Sequence, residues 1–177
     1  GQHGLELRVS VSDTAVNTVS TVFYRLEISA DQQLTAVQLP LSIPGAVVNS
    51  VDGDFDGDGI SDTAIVTANA SLFDGTDLRI LLRNATAAET DPVRTTTTLA
   101  EPPGNNPTFV IPALIDSDAL IDVLSVSPST NTLNYHRALG DGRFAAPETI
   151  SVGAAPQSVT TLDFNYDGFT DVVTANS

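Results

Sequence analysis

Asp54-Phe55-Asp56-Gly57-Asp58-Gly59-Ile60-Ser61-Asp62 returns later in the chain as Asp163-Phe164-Asn165-Tyr166-Asp167-Gly168-Phe169-Thr170-Asp171. Both stretches put oxygen-bearing side chains at loop positions 1, 3, 5 and 9 and glycine at position 6. Alternate residues of a tight loop converge on a common centre. A glycine at the bend accepts backbone angles that other residues resist. Such a donor set is hard and all-oxygen, and it suits calcium, which takes about six to eight oxygen ligands at about 2.3–2.6 Å. Magnesium, which demands stricter octahedral geometry and keeps its waters, fits less well. The predicted ligands are the side chains of Asp54, Asp56, Asp58 and Asp62 with the carbonyl of Ile60. In the second loop they are Asp163, Asn165, Asp167 and Asp171 with the carbonyl of Phe169.

The loop is not an EF-hand. That motif closes with a bidentate glutamate at position 12, where this chain has Ile65 and Thr174. The residues after each loop, Thr63–Thr67 and Val172–Thr174, read as strands rather than as amphipathic helices. A third, eroded copy runs from Leu114 to Asp122. It keeps Asp116, Asp118 and Asp122 but has Leu114 at position 1 and Ala119 at position 6, so the strand–loop–strand shape is expected there without tight metal binding.

Outward from the loops, apolar and polar residues alternate with period two. Leu5, Leu7, Val9 and Val11 do so, as do Val22, Tyr24, Leu26 and Ile28, then Val37, Leu39, Leu41 and Ile43, and later Leu78, Ile80 and Leu82. Period two marks strands buried on one face. Pro40 inside such a run points to an edge strand. Leu133–Leu139 reads as one further strand. Thr90–Pro107 is rich in Thr and Pro and reads as a linker or a long inter-strand loop. Turn signals recur at Pro44-Gly45, Phe73-Asp74-Gly75, Pro102-Pro103-Gly104 and Gly140-Asp141-Gly142. Many short strands with regular turns define an all-β sandwich, barrel or propeller.

The three loops begin at residues 54, 114 and 163, a spacing that signals repeats. With the later Gly140-Asp141-Gly142-Arg143-Phe144 and the approach Gly153-Ala154-Ala155-Pro156-Gln157-Ser158-Val159, the loop pattern resembles the FG-GAP/VCBS repeats of integrin-type β-propellers. The resemblance covers 110–177 and, with fewer matching residues, 46–108. It implies blade-like antiparallel β-repeats, about three in an incomplete propeller, with each loop joining the first two strands of a blade and binding calcium. Closed propellers need about four to eight blades. The two ends then read as parts of blades, with Leu5–Ile43 as the last three strands of one, and self-association through these half-blade ends is an expectation. The N-terminal half also resembles the Ig-like β-sandwich repeats of bacterial surface proteins. On that alternative, residues 1–95 form a sandwich and 96–177 form propeller-like repeats.

Composition narrows the function. There are 22 acidic residues against seven Arg and no Lys, a net charge of −15, so nucleic acid and anionic membranes are repelled. No apolar run is long enough for a membrane span. Cysteine is absent, and calcium is the natural substitute for disulfides outside cells. The two histidines, His3 and His136, have no metal spacing, and no serine sits in a nucleophile elbow. The expected class is a non-catalytic extracellular or cell-surface calcium-binding module for adhesion or for a protein or glycan ligand. The alternatives are a structural subunit assembled by strand exchange and an ancillary domain of a secreted enzyme. Asn69-Ala70-Ser71 and Asn84-Ala85-Thr86 fit the N-glycosylation sequon.

Overall fold

The computed structural model describes residues 5–13, 18–28, 31–68, 75–83 and 93–177. His3, both sequons and Phe73-Asp74 lie outside the described residues. Fifteen strands and no helix occur among those described, and no helix is long and apolar enough to cross a membrane. In chain order the strands are β1 (Leu5–Asp13), β2 (Thr18–Ile28), β3 (Leu34–Pro44), β4 (Ala46–Gly53), β5 (Asp62–Ala68), β6 (Thr76–Arg83), β7 (Val93–Thr98), β8 (Phe109–Ala113), β9 (Asp122–Ser127), β10 (Thr132–His136), β11 (Ala138–Gly140), β12 (Arg143–Phe144), β13 (Glu148–Ser151), β14 (Pro156–Leu162) and β15 (Asp171–Asn176).

These strands form antiparallel sheets that succeed one another along the chain. The orders are β1-β2-β3, β4-β5-β6-β7, β8-β9-β10-β13 and β14-β15, with β11-β12 as a separate small hairpin. The two four-stranded sheets are blades of propeller type, each with its acidic loop between first and second strands. An Ig-type sandwich passes strands between its sheets by Greek-key connections. Here each sheet takes its strands in chain order, and the alternative boundary at residues 95 and 96 falls inside β7.

Three apolar clusters join the sheets face to face. Phe23 and Ile43 of the first sheet pack on Ile65 and Leu81 of the second. The opposite face of the second, with Ala64, Val66, Leu78 and Ile80, packs on Val110 and Val123 of the third. The third meets β14 through Ala113, Leu124, Val126 and Val159. Residues Asp62–Thr67 of β5 and all of β9 are therefore buried, because both faces of each strand are covered. Polar bonds reinforce the joints. Asn49 Oδ1 accepts the Val110 amide at 3.0 Å, which ties the first strands of the two blades together. The Arg79 guanidinium reaches the Pro44 carbonyl at 3.5 Å.

Two sequence expectations need correction. Val93–Thr98 is the outermost strand of the second sheet, not part of a linker. Leu133–Leu139 is not one strand: β10 ends at His136, and β11 turns away to pair with β12. Pro40 does sit in an edge strand, within the stretch of β3 where its register with β2 shifts.

The β11–β12 hairpin closes the gap between the blades. Its turn residues Gly140, Asp141 and Gly142 all have positive φ, at 80°, 54° and 69°. Gly142 lies so close to Leu82 of the neighbouring blade that a Cβ would come within 2.2 Å of a Leu82 methyl. Phe144 then meets Phe55 with ring centroids 6.4 Å apart. This contact anchors the second residue of the first acidic loop on the next blade.

Candidate metal centres

The loop between β4 and β5 folds around its own carboxylates. Asp54 Oδ1 accepts the amides of Gly57 and Asp58 at 2.8 and 3.1 Å, and Oδ2 accepts that of Gly59 at 2.9 Å. Asp56 Oδ1 accepts the Asp58 amide at 3.1 Å, and Asp58 Oδ1 accepts that of Ile60 at 2.8 Å. Gly57 and Gly59 have φ of 82° and 85°, the left-handed conformation that lets consecutive amides turn inward. As a result, carboxylate oxygens of Asp54, Asp56 and Asp58 lie within 4.8 Å of one another. Two ligands each about 2.4 Å from one ion lie at most about 4.8 Å apart, so the spacing and the hard-oxygen chemistry both fit calcium.

The loop between β14 and β15 repeats this construction. Asp163 accepts the amides of Asp167 and Gly168 at 3.1 and 2.9 Å. Asn165 Oδ1 accepts the Asp167 amide at 3.0 Å, and Asp167 Oδ1 accepts that of Phe169 at 2.9 Å. Gly168 has φ of 89°, and Tyr166, where the first loop has Gly57, has φ of 60°.

Position 9 does something the sequence pattern does not disclose. Asp62 is fully buried and accepts the Phe55 amide at 2.9 Å through one oxygen and the Arg83 amide at 2.7 Å through the other. It pins the second loop residue to the end of the third strand. Burial pushes its carboxyl above the ordinary range. The Arg83 and Phe55 amides pull it back, and repulsion from Asp56 and Asp58 adds to the rise. Asp122 does the same in the eroded loop, accepting the amides of Ile115 at 3.2 Å and Ala138 at 2.8 Å and the Tyr135 hydroxyl at 3.1 Å. Burial, with the charge and hydrogen bond of Asp122, holds the Tyr135 phenol well above its usual range, so it remains a donor. Asp171 accepts the Phe164 amide at 2.9 Å, and β15 has no third strand beside it among the described residues. The structure thus gathers positions 1, 3 and 5 of the first loop and turns position 9 toward backbone donors.

The eroded loop keeps the shape. Asp118 accepts the Leu120 amide at 2.9 Å and Asp116 the Asp118 amide at 3.0 Å, while Leu114 stands at position 1 with no carboxylate to offer. Ala119 occupies the left-handed turn with φ of 64°, where the other loops have glycine. An alanine there costs about 1–2 kcal/mol, so Ala119→Gly is expected to raise stability by about 1 kcal/mol in chemical denaturation. A lower midpoint would show that the turn does not need that conformation. The loops touch in series: Leu120 lies against Gly57 and Gly140, and Thr170 Oγ1 donates to the Leu114 carbonyl at 2.9 Å.

His136 is buried on β10, in register with Val123 of β9. Its Nε2 lies 3.1 Å from Glu101, whose other oxygen accepts from Asn105 and, at 3.2 Å, from Asn134. This network fixes the β7–β8 connection to the third sheet.

Consecutive four-stranded antiparallel sheets, each with an acidic loop between its first two strands, define a repeat protein of β-propeller type. Residues 115–174, from the eroded loop to the strand beyond the last, match the FG-GAP-like repeat. No curated protein matches the chain.

Proposed function

We propose that this chain is a non-catalytic extracellular module, stiffened by calcium in the loops 54–62 and 163–171, that serves adhesion or binds a protein or glycan ligand. The observation that carries the reading is the convergence of Asp54, Asp56 and Asp58 within 4.8 Å, in a loop type repeated within the stretch that matches the FG-GAP-like repeat. Calcium would be held by these three carboxylates and by Asp163, Asn165 and Asp167. When bound it supplies positive charge that offsets their mutual repulsion. A cleft of about 820 Å³ opens beside the first loop, lined by Asp56, Asp58, Thr95, Thr97, Arg143 and Phe144 among others. Its mixture of carboxylates, hydroxyls and an aromatic ring supports ligand binding. Its acidic lining and the net charge of −15 disfavour nucleic acid.

Titration calorimetry tests the metal assignment. Two calcium ions per chain are expected, one after Asp58→Ala, one after Asp167→Ala, and still two after Asp118→Ala. Unchanged stoichiometry in both of the first two variants would overturn it.

A further inference from the structure

The cleft beside the first loop is a consequence of how the second sheet ends. Leu82 and Ile80 of β6 share the face that packs on the third sheet. Thr95 and Thr97 of β7 are in register with Leu82 and Ile80, and directly opposed residues of an antiparallel pair share a face. β7 is the last strand of its sheet, and the β11–β12 hairpin faces it there. The hairpin covers Leu82 through Gly142 but leaves Thr95 exposed and Thr97 half-buried. The space between is the cleft of about 820 Å³, within the range of about 300–1,000 Å³ typical of small-molecule sites.

Its walls differ in kind. Leu139, 42% exposed, and the half-buried Phe144 are apolar, and Phe144 is held in place by its contact with Phe55. The Thr95 and Thr97 hydroxyls and the side chains of Asp141 and Arg143 are polar. Arg143 and Asp141 are 70% and 90% exposed, and Arg143 Nη2 stands 3.9 Å from Asp141 Oδ2. That is beyond hydrogen-bond distance, so neither uses up the bonding capacity of the other. Asp56 and Asp58 close the remaining side, and their charge is offset when the proposed calcium is bound.

Such a lining selects a ligand. A sugar ring has apolar C–H faces and a rim of hydroxyls that both donate and accept. A carboxylate accepts, a guanidinium donates, and a threonine hydroxyl does both. A neutral ligand brings no charge that must be paired on burial, whereas an anionic one meets a chain of net charge −15. An extended peptide is better served elsewhere. Among the described strands β7 has no neighbour along its outer edge, and strand addition uses that edge rather than the face.

We infer that the cleft binds a short neutral oligosaccharide, with a ring face against Leu139 and Phe144 and its hydroxyls bonded to Thr95, Thr97, Asp141 and Arg143. This rests on the ligand-binding reading above and names the class of ligand.

An array carrying neutral oligosaccharides of glucose, galactose, mannose and N-acetylglucosamine, beside sialylated and uronate-bearing ones, tests this with the full chain in calcium. Capture of neutral members is expected. In calorimetry with the tightest of them, Arg143→Ala removes a charged donor and is expected to weaken binding about tenfold or more. Thr95→Val keeps the β-branched shape suited to a strand and is expected to weaken it about threefold or more. Circular dichroism checks the fold of each variant. No capture, capture of acidic members alone, or binding that both variants leave unchanged overturns the inference. Calcium stoichiometry is read on the same samples, so two ions with no sugar bound would remove the oligosaccharide and leave the metal assignment standing.

Discussion

If calcium fills both loops, as proposed, removing it with a chelator is expected to lower the thermal midpoint of this chain by about 10–20 °C. The magnitude comes from linkage. A site that binds calcium with a dissociation constant 100-fold below the ambient concentration stabilises the folded state by about 2.7 kcal/mol, so two such sites contribute about 5 kcal/mol. For a chain of this size each kcal/mol shifts the midpoint by about 2–4 °C. The same 5 kcal/mol is a large share of a typical total stability of about 5–15 kcal/mol. The effect has a structural origin in the loops themselves. Asp54, Asp56 and Asp58 are drawn together within 4.8 Å by amides of their own loop, and without a cation their repulsion opposes that closure. Differential scanning calorimetry with and without chelator measures the shift. A midpoint that moves by less than about 2 °C would mean that the loops hold their shape without metal.

Asp122→Ala is expected to cost about 3–5 kcal/mol and to leave the proposed calcium binding intact. The carboxylate of Asp122 is fully buried and accepts from the Ile115 amide, the Ala138 amide and the Tyr135 hydroxyl. Truncation strands these donors, and an unsatisfied buried donor costs about 1–3 kcal/mol. This loop lacks the first carboxylate, so the loss arises from bracing alone. Urea denaturation of Asp122→Ala beside calcium titration separates the two roles. A stable variant would show the brace to be dispensable, and a lost calcium ion would show that the eroded loop binds metal after all.

The loops and most strands are legible in the sequence because their signals are local. Alternation such as Leu78-Arg79-Ile80 marks a strand directly, and the Asp-x-Asp-x-Asp-Gly spacing marks a turn that gathers oxygens. Strand β7 is not legible in this way. Thr95–Thr98 is the outer strand of its sheet and mostly exposed, so it needs no apolar alternation and reads as a loop. The break after His136 is hidden for another reason. Ala138 is held by the side chain of Asp122, a contact across the sheet that no local pattern encodes. The bracing role of position 9 is equally silent, because nothing in the motif marks the amides of Phe55 and Arg83 that Asp62 accepts. The Glu101–His136 pairing joins residues far apart in the chain, and Glu101 sits beside a Pro-Pro-Gly turn that signals only a change of direction.

Anomalous diffraction from crystals grown in calcium tests the central claim most directly. One peak is expected among Asp54, Asp56 and Asp58, a second among Asp163, Asn165 and Asp167, and none beside Asp116 and Asp118. Only background at both of the first two positions would contradict the account.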